Sequence, residues 1–123
     1  MDGFRELNTL IDNATTPEHT HYKPRISFEE FFNISNNIIK ISACLASPLN
    51  KVKDEEVLDK LYKAYDYFEI QYHNIEDQIS YNKQLLKASK KYNKPLIVGT
   101  DTHSLNAYKQ ECRHIFKKAK KVG

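Results

Sequence analysis

Pro95-Leu96-Ile97-Val98-Gly99-Thr100-Asp101-Thr102-His103 is the stretch on which the architecture turns. Leu96-Ile97-Val98, closed by Gly99, has the length and composition of a buried strand. Strands covered on both faces are apolar throughout, as parallel strands usually are. Asn93-Lys94-Pro95 ends the preceding helix, because proline does not continue one. Just past the strand, Asp101 and His103 stand two residues apart. In extended backbone that spacing points a carboxylate and an imidazole the same way.

Upstream, residues 75–92 carry Ile79, Leu85, Leu86 and Ala88 at helical spacing. Before them, residues 67–72 alternate, with Phe68, Ile70 and Tyr72 on one side and Glu69 and Gln71 on the other. That period of two predicts a strand. Asp54 is placed to cap a helix whose apolar side holds Val57, Leu58, Leu61, Tyr62 and Tyr65. Pro48 lies in a loop, and residues 37–43, Asn-Ile-Ile-Lys-Ile-Ser-Ala, read as a first strand. Ser27 with Glu30 forms a capping-box pattern ahead of a short helix. Phe4, Leu7, Leu10 and Ile11 predict a helix over 4–14, followed by a polar loop over 15–21. Downstream, a last helix over 105–121 is expected to turn Leu105, Tyr108, Cys112, Ile115 and Phe116 inward. Three strands alternating with helices define an α/β fold with a parallel sheet.

A chain of 123 residues, 40% of them hydrophobic, suits one domain with a modest core. The net charge of +3 is too small to require a nucleic-acid partner. Arg113, Lys117, Lys118, Lys120 and Lys121 crowd the end of the chain. They complement the dipole of a helix C-terminus or form a patch for phosphate or an acidic partner. No apolar run nears the roughly 20 residues of a membrane span, and the first residues lack a signal-peptide core. A cytoplasmic location in a bacterial cell is the expectation. There a disulfide between the two cysteines is not expected. Cys112 reads as a small core residue.

In parallel α/β folds reactive groups gather beyond the carboxyl ends of the strands. The three expected strands end at Cys44, at His73 and at Asp101 with His103. Strands lie about 4.8 Å apart, so these four side chains are expected to converge on one Zn2+ ion. A thiolate, two imidazoles and a carboxylate suit tetrahedral zinc better than magnesium or calcium. Glu69 shares a face with His73 and is expected to orient it. Singly, each residue has a plainer reading: Cys44 as packing, the histidines as ordinary polar residues, Asp101-Thr102-His103 as a helix cap. His19 and His21 form a second, weaker His-x-His pair in a loop.

Five motifs then carry a resemblance. Gly3-Phe4-Arg5-Glu6-Leu7, Tyr22-Lys23-Pro24-Arg25-Ile26, Ile41-Ser42-Ala43-Cys44-Leu45, Phe68-Glu69-Ile70-Gln71 and Pro95 to His103 occur in that order. Together they resemble the later part of the polymerase-and-histidinol-phosphatase (PHP) domain of bacterial DNA polymerase III alpha subunits. The resemblance implies a partial PHP-type β/α barrel and ligand roles for Cys44, Asp101 and His103. The family's other ligands, a His-x-His strand, an Asp-His pair, a Glu and a further His, have no counterpart in these residues. One ion at most is therefore expected, short of the two or three that a multinuclear phosphoesterase uses.

From this follows the expectation of a small, non-catalytic zinc-binding protein of phage or mobile-element type. Its partner would be a nucleic-acid-processing machine, most specifically Cas9 or its guide-RNA complex, inhibited as by an anti-CRISPR protein. Asp54, Glu55, Glu56 and Asp59, with Asp66, Glu69, Glu76 and Asp77, offer acidic contacts for a basic channel, and Lys117 and Lys118 offer cationic ones. Two alternatives stand beside it: a metal-dependent PHP phosphoesterase, and a split fragment of DNA polymerase III alpha.

Overall fold

The computed structural model describes residues 1–20, 23 and 25–120. Six helices and two strands follow one another as α1 (Asp2–Ala14), α2 (Phe28–Phe32), α3 (Pro48–Lys51), α4 (Glu55–Ala64), β1 (Phe68–Gln71), α5 (Glu76–Tyr92), β2 (Leu96–Gly99) and α6 (Ala107–Ala119). The helix starts are where their caps place them. Ser27 Oγ accepts from the Glu30 amide, and Glu30 Oε1 accepts in return from the Ser27 amide, both at 3.1 Å. Asp54 Oδ1 accepts from the amides of Glu56 and Val57, each at 3.0 Å. At its far end α5 stops on Asn93, whose φ of 53° turns the chain left-handed. Pro48 opens α3, a short helix where the proline had suggested a loop; Ser47 caps it and the proline ring suits its first turn.

β1 and β2 pair in parallel, with Phe68 opposite Leu96 and Gln71 opposite Gly99. The expected third strand at 37–43 is reduced to a single bridge between Ile41 and Tyr67. Pairing begins normally: Lys40 O accepts from the Asp66 amide at 2.8 Å, and the Ser42 amide donates to Tyr67 O at 3.1 Å. Then the Ser42 hydroxyl, not a backbone carbonyl, takes the Glu69 amide at 2.9 Å. Ala43 follows with φ of 57° and turns the chain away. A side chain thus ends the ladder that the apolar run had promised. Among the described residues the sheet is two-stranded and parallel with helices around it, an α/β arrangement in which the expected partial PHP-type barrel of three strands is not shown.

The core lies where α3, α4 and α5 meet β1. Leu49, Leu61, Tyr62, Tyr65, Phe68, Tyr81, Leu85 and Ala88 are buried together. Tyr62 packs edge-on to Phe68 at 5.6 Å between ring centres and stacks on Tyr92 at 4.9 Å. Gly99 is required by a close approach, because a Cβ there would collide with the Glu69 carboxylate. The start of α1 is held the same way: Gly3 sits against the Asn37 carbonyl, and Glu6 accepts from the Ser35 amide at 2.7 Å and from its hydroxyl.

The last helix differs most from its sequence pattern. Gln110, Arg113 and Lys117, spaced three and four apart, form the partly covered side of α6. Tyr108, Ile115, Phe116 and Cys112 face solvent, as does Leu105 ahead of the helix. The inward placement expected for those residues is therefore reversed, and Cys112 is not a core residue. In α1, likewise, Phe4, Leu7 and Ile11 are exposed. Among the described residues no helix is long and apolar enough to cross a membrane.

Candidate site at the strand ends

Beyond the carboxyl ends of the two strands lies an open cavity of about 630 Å³. Cys44, His73, Asp101 and His103 all line it, as their positions at strand ends predict. Its polar floor is built from amides. Gln71, almost fully buried, donates from Nε2 to Glu69 Oε2 at 2.8 Å, and its carbonyl accepts from Asn82 Nδ2 at 2.6 Å. Gln78 Nε2 donates to Asn82 Oδ1 at 2.8 Å. Gln78 and Asn82 are one helical turn apart in α5, so both reach the same strand end. From α6, Gln110 and Arg113 close the other side.

The Asp101-Thr102-His103 segment does not continue the strand. Asp101 has φ of 49°, a left-handed conformation that aspartate tolerates better than most residues. The shared direction expected from extended backbone is lost with it. His103 Nδ1 donates to the backbone carbonyl of Asp101 at 2.6 Å, while the Asp101 carboxylate stands at 3.8 Å. A carbonyl only accepts, so Nδ1 carries a proton in this bond. His73 packs its ring beside Tyr72 at 5.0 Å. The Glu69 carboxylate, expected to orient His73, accepts from Gln71 Nε2.

Four candidate ligands share one cavity, yet among the described residues no three His, Cys, Asp or Glu side chains come together to hold a metal ion. The expected four-ligand zinc centre is accordingly not shown by the described residues, although all four expected ligands line the one cleft. In the second pair, His19 bonds through Nδ1 to Thr16 Oγ1 at 2.8 Å and through Nε2 to Glu30 Oε1 at 2.9 Å. His19 thereby ties the loop after α1 to α2, and His21 lies outside the described residues, as do Tyr22 and Pro24 of the second motif.

The charged residues expected to meet a partner mostly have local work. Asp54 caps α4, with Glu55 and Glu56 in its first turn, where acids favour the helix dipole. Asp59 accepts from Tyr92 Oη at 2.7 Å and pairs with Lys63 at 2.9 Å. The Lys63 bond, then the Tyr92 bond, holds its carboxyl below the ordinary range. Lys117 and Lys118 occupy the last turn of α6, again with the dipole.

Sequence reasoning missed the amides. Gln78, Asn82 and Gln110 fall in no motif, and Gln71 entered only as the last residue of the Phe68–Gln71 motif. The one available signal was the polar i, i+3, i+7 stripe of α6, opposite its apolar one.

Fold and cavity define a class: a parallel β–α–β unit with a hydrogen-bonding cleft at its strand ends. Within that class the chain is related to a region of DNA polymerase III subunit alpha. It is 34% identical over 114 residues to the DNA polymerase III subunit alpha of Aquifex aeolicus, and 31% identical over 114 residues to that of Borreliella burgdorferi. To that of Chlamydia pneumoniae it is 31% identical over 136 residues. Each alignment takes in 85% of this chain but only 10 or 11% of the relative, so the chain spans about a tenth of the length of the curated relatives it matches. No protein-family model matches it. These relatives overturn the expectation of a phage anti-CRISPR protein acting on Cas9: the similarity runs to DNA polymerase III alpha subunits, and the zinc centre that was to staple such an inhibitor is not shown among the described residues.

Proposed function

We propose that the chain works as a segment of a DNA polymerase III alpha-type assembly, in the manner of the later part of its PHP domain. It packs against further strands and helices supplied outside these residues. The similarity over 85% of the chain to one short region of a large subunit carries this reading. Three features support it. Among the described residues β2 pairs on one side only. Val98, in the middle of that strand, is 71% exposed. The apolar stripes of α1 and α6 meet solvent, which is costly for a finished surface. The strand-end cleft is then one wall of a larger cavity, to which Asp101 and His103 contribute a carboxylate and an imidazole.

A chimera tests this. In the Aquifex aeolicus subunit, the matched segment is replaced by this chain, and a second version simply deletes the segment. The chimera is expected to be soluble and to unfold cooperatively within a few degrees of the parent, well above the deletion. A chimera no more stable than the deletion sinks the proposal.

A further inference from the structure

Of the two uncovered apolar stripes, that of α6 has the finer pattern. Tyr108, Cys112, Ile115 and Ala119 follow one another at spacings of four, three and four residues. That is the a/d seam of a helix that lies against another helix. All four are exposed, Tyr108 to 69% and Ile115 to 63%. α6 has no buried residue at all, and a helix of 13 residues is marginal by itself. Cover for the seam therefore also stabilises the helix.

The seam is edged with positive charge. At about 100° per residue, Lys109 and Lys120 border it on one side and Lys118 on the other. Lys109 Nζ stands 5.9 Å from the Tyr108 ring centre, and Lys120 Nζ 4.7 Å from that of Phe116. Both cations thus lie beside the apolar surface. Over residues 107–120, Lys109, Arg113, Lys117, Lys118 and Lys120 stand against a single acid, Glu111. Among the described residues none of the five is ion-paired. Unpaired charge along a seam selects the charge of what docks there.

We infer that this seam docks an amphipathic helix whose apolar stripe is edged with glutamate or aspartate. Opposite charge across the flanking positions fixes which helices pair. Two copies of α6 would set lysine beside lysine, which disfavours self-pairing. A bilayer of anionic lipid suits the cations, but interfacial helices bury a broader apolar face than two positions per heptad. This partner rests on the packing proposed above, of which it names one element. The two fail separately. A stable chimera with no helix on the seam keeps the packing and loses the partner.

The probe is a synthetic peptide of about three heptads, with leucine at a and d and glutamate at e and g. A twin carries lysine at e and g. Each is titrated against the chain with Cys44→Ser, so that Cys112 is the one remaining thiol. The glutamate peptide is expected to bind saturably and to raise helical circular dichroism above the sum of the parts. At saturation it should slow Cys112 alkylation about fivefold or more. The lysine peptide should bind about tenfold or more weakly. Ile115→Asp should abolish binding, whereas Leu7→Asp, on the stripe of α1, should change it less than about twofold. Lys109→Glu with Lys118→Glu should reverse the preference to the lysine peptide, a gain that misfolding does not produce. No saturable binding of the glutamate peptide, equal binding of the two peptides, or an unreversed preference would each overturn the assignment. So would transfer of the chain to phosphatidylglycerol vesicles that Ile115→Asp abolishes, which would assign the seam to lipid.

Discussion

α4 and α5 press their apolar sides onto β1, while α1 and α6 turn theirs outward. Both pairs carry clear amphipathic patterns, so the pattern alone does not decide which side is covered. In α5 Tyr81, Leu85 and Ala88 join Phe68, Leu61 and Leu49 in the core, while Ile79 and Leu86 stay exposed. In α6 the polar stripe wins the inner place because Gln110 and Arg113 reach the strand-end cleft. The lesson is that a hydrophobic stripe records a need for cover, and the cover need not lie within the same residues.

The sharpest way to break this contrast is to truncate one aromatic from each region. Phe68→Ala, in the core, is expected to cost about 3–5 kcal/mol in urea unfolding. Phe116→Ala, on the exposed stripe, should stay within about 0.5 kcal/mol. Comparable losses would mean that α6 is packed as tightly as α5.

Gly99→Ala comes next. The new methyl meets the Glu69 carboxylate, which must swing away from Gln71, at about 1–2 kcal/mol for the lost charge-assisted bond and the displaced group. Adding Glu69→Ala should recover part of that loss, and a double-mutant cycle measures the coupling. Simple additivity would show that the two side chains do not meet.

Asp54→Ala should cost about 1 kcal/mol through the lost cap of α4. A cap on the well-packed helix is felt globally, so thermal unfolding registers it.

The smallest expected effect lies in the first part of the chain. The Ser27 amide holds the Glu30 carboxyl below its ordinary value of 4.5, with further help from the Ser27 hydroxyl and His19. A lowered folded value means that the ionised form adds stability above the unfolded value. That stability is lost as pH falls through the folded one. Glu30→Gln should therefore be slightly less stable than the parent at pH 7, and the gap should close by about pH 3. A gap that widens in acid would reverse the sign of the argument.

Helix limits were legible wherever a cap or breaker stood in the sequence: Ser27 with Glu30, Asp54, and Asn93-Lys94-Pro95. The two strands β1 and β2 were legible from alternation and from an apolar triplet. The strand over 37–43 was not, because its failure depends on the Ser42 hydroxyl replacing a carbonyl, and hydropathy does not register that substitution. Cys44, His73, Asp101 and His103 were correctly placed around one cleft by strand-end reasoning. The left-handed turn at Asp101 was not legible, since it is a backbone event that spacing arguments take to be extended. The amide floor escaped notice because glutamine and asparagine act here through contacts made only after folding.

The side of β2 left unpaired among the described residues has a directional consequence. A strand added there in parallel would run the same way as Leu96–Gly99 and finish beside Thr100 and Asp101. Its last residue would then stand at the rim of the cleft. Widening the sheet by one strand and furnishing the cleft with one more side chain would be a single event, so whatever closes this edge also decides what chemistry the cleft holds.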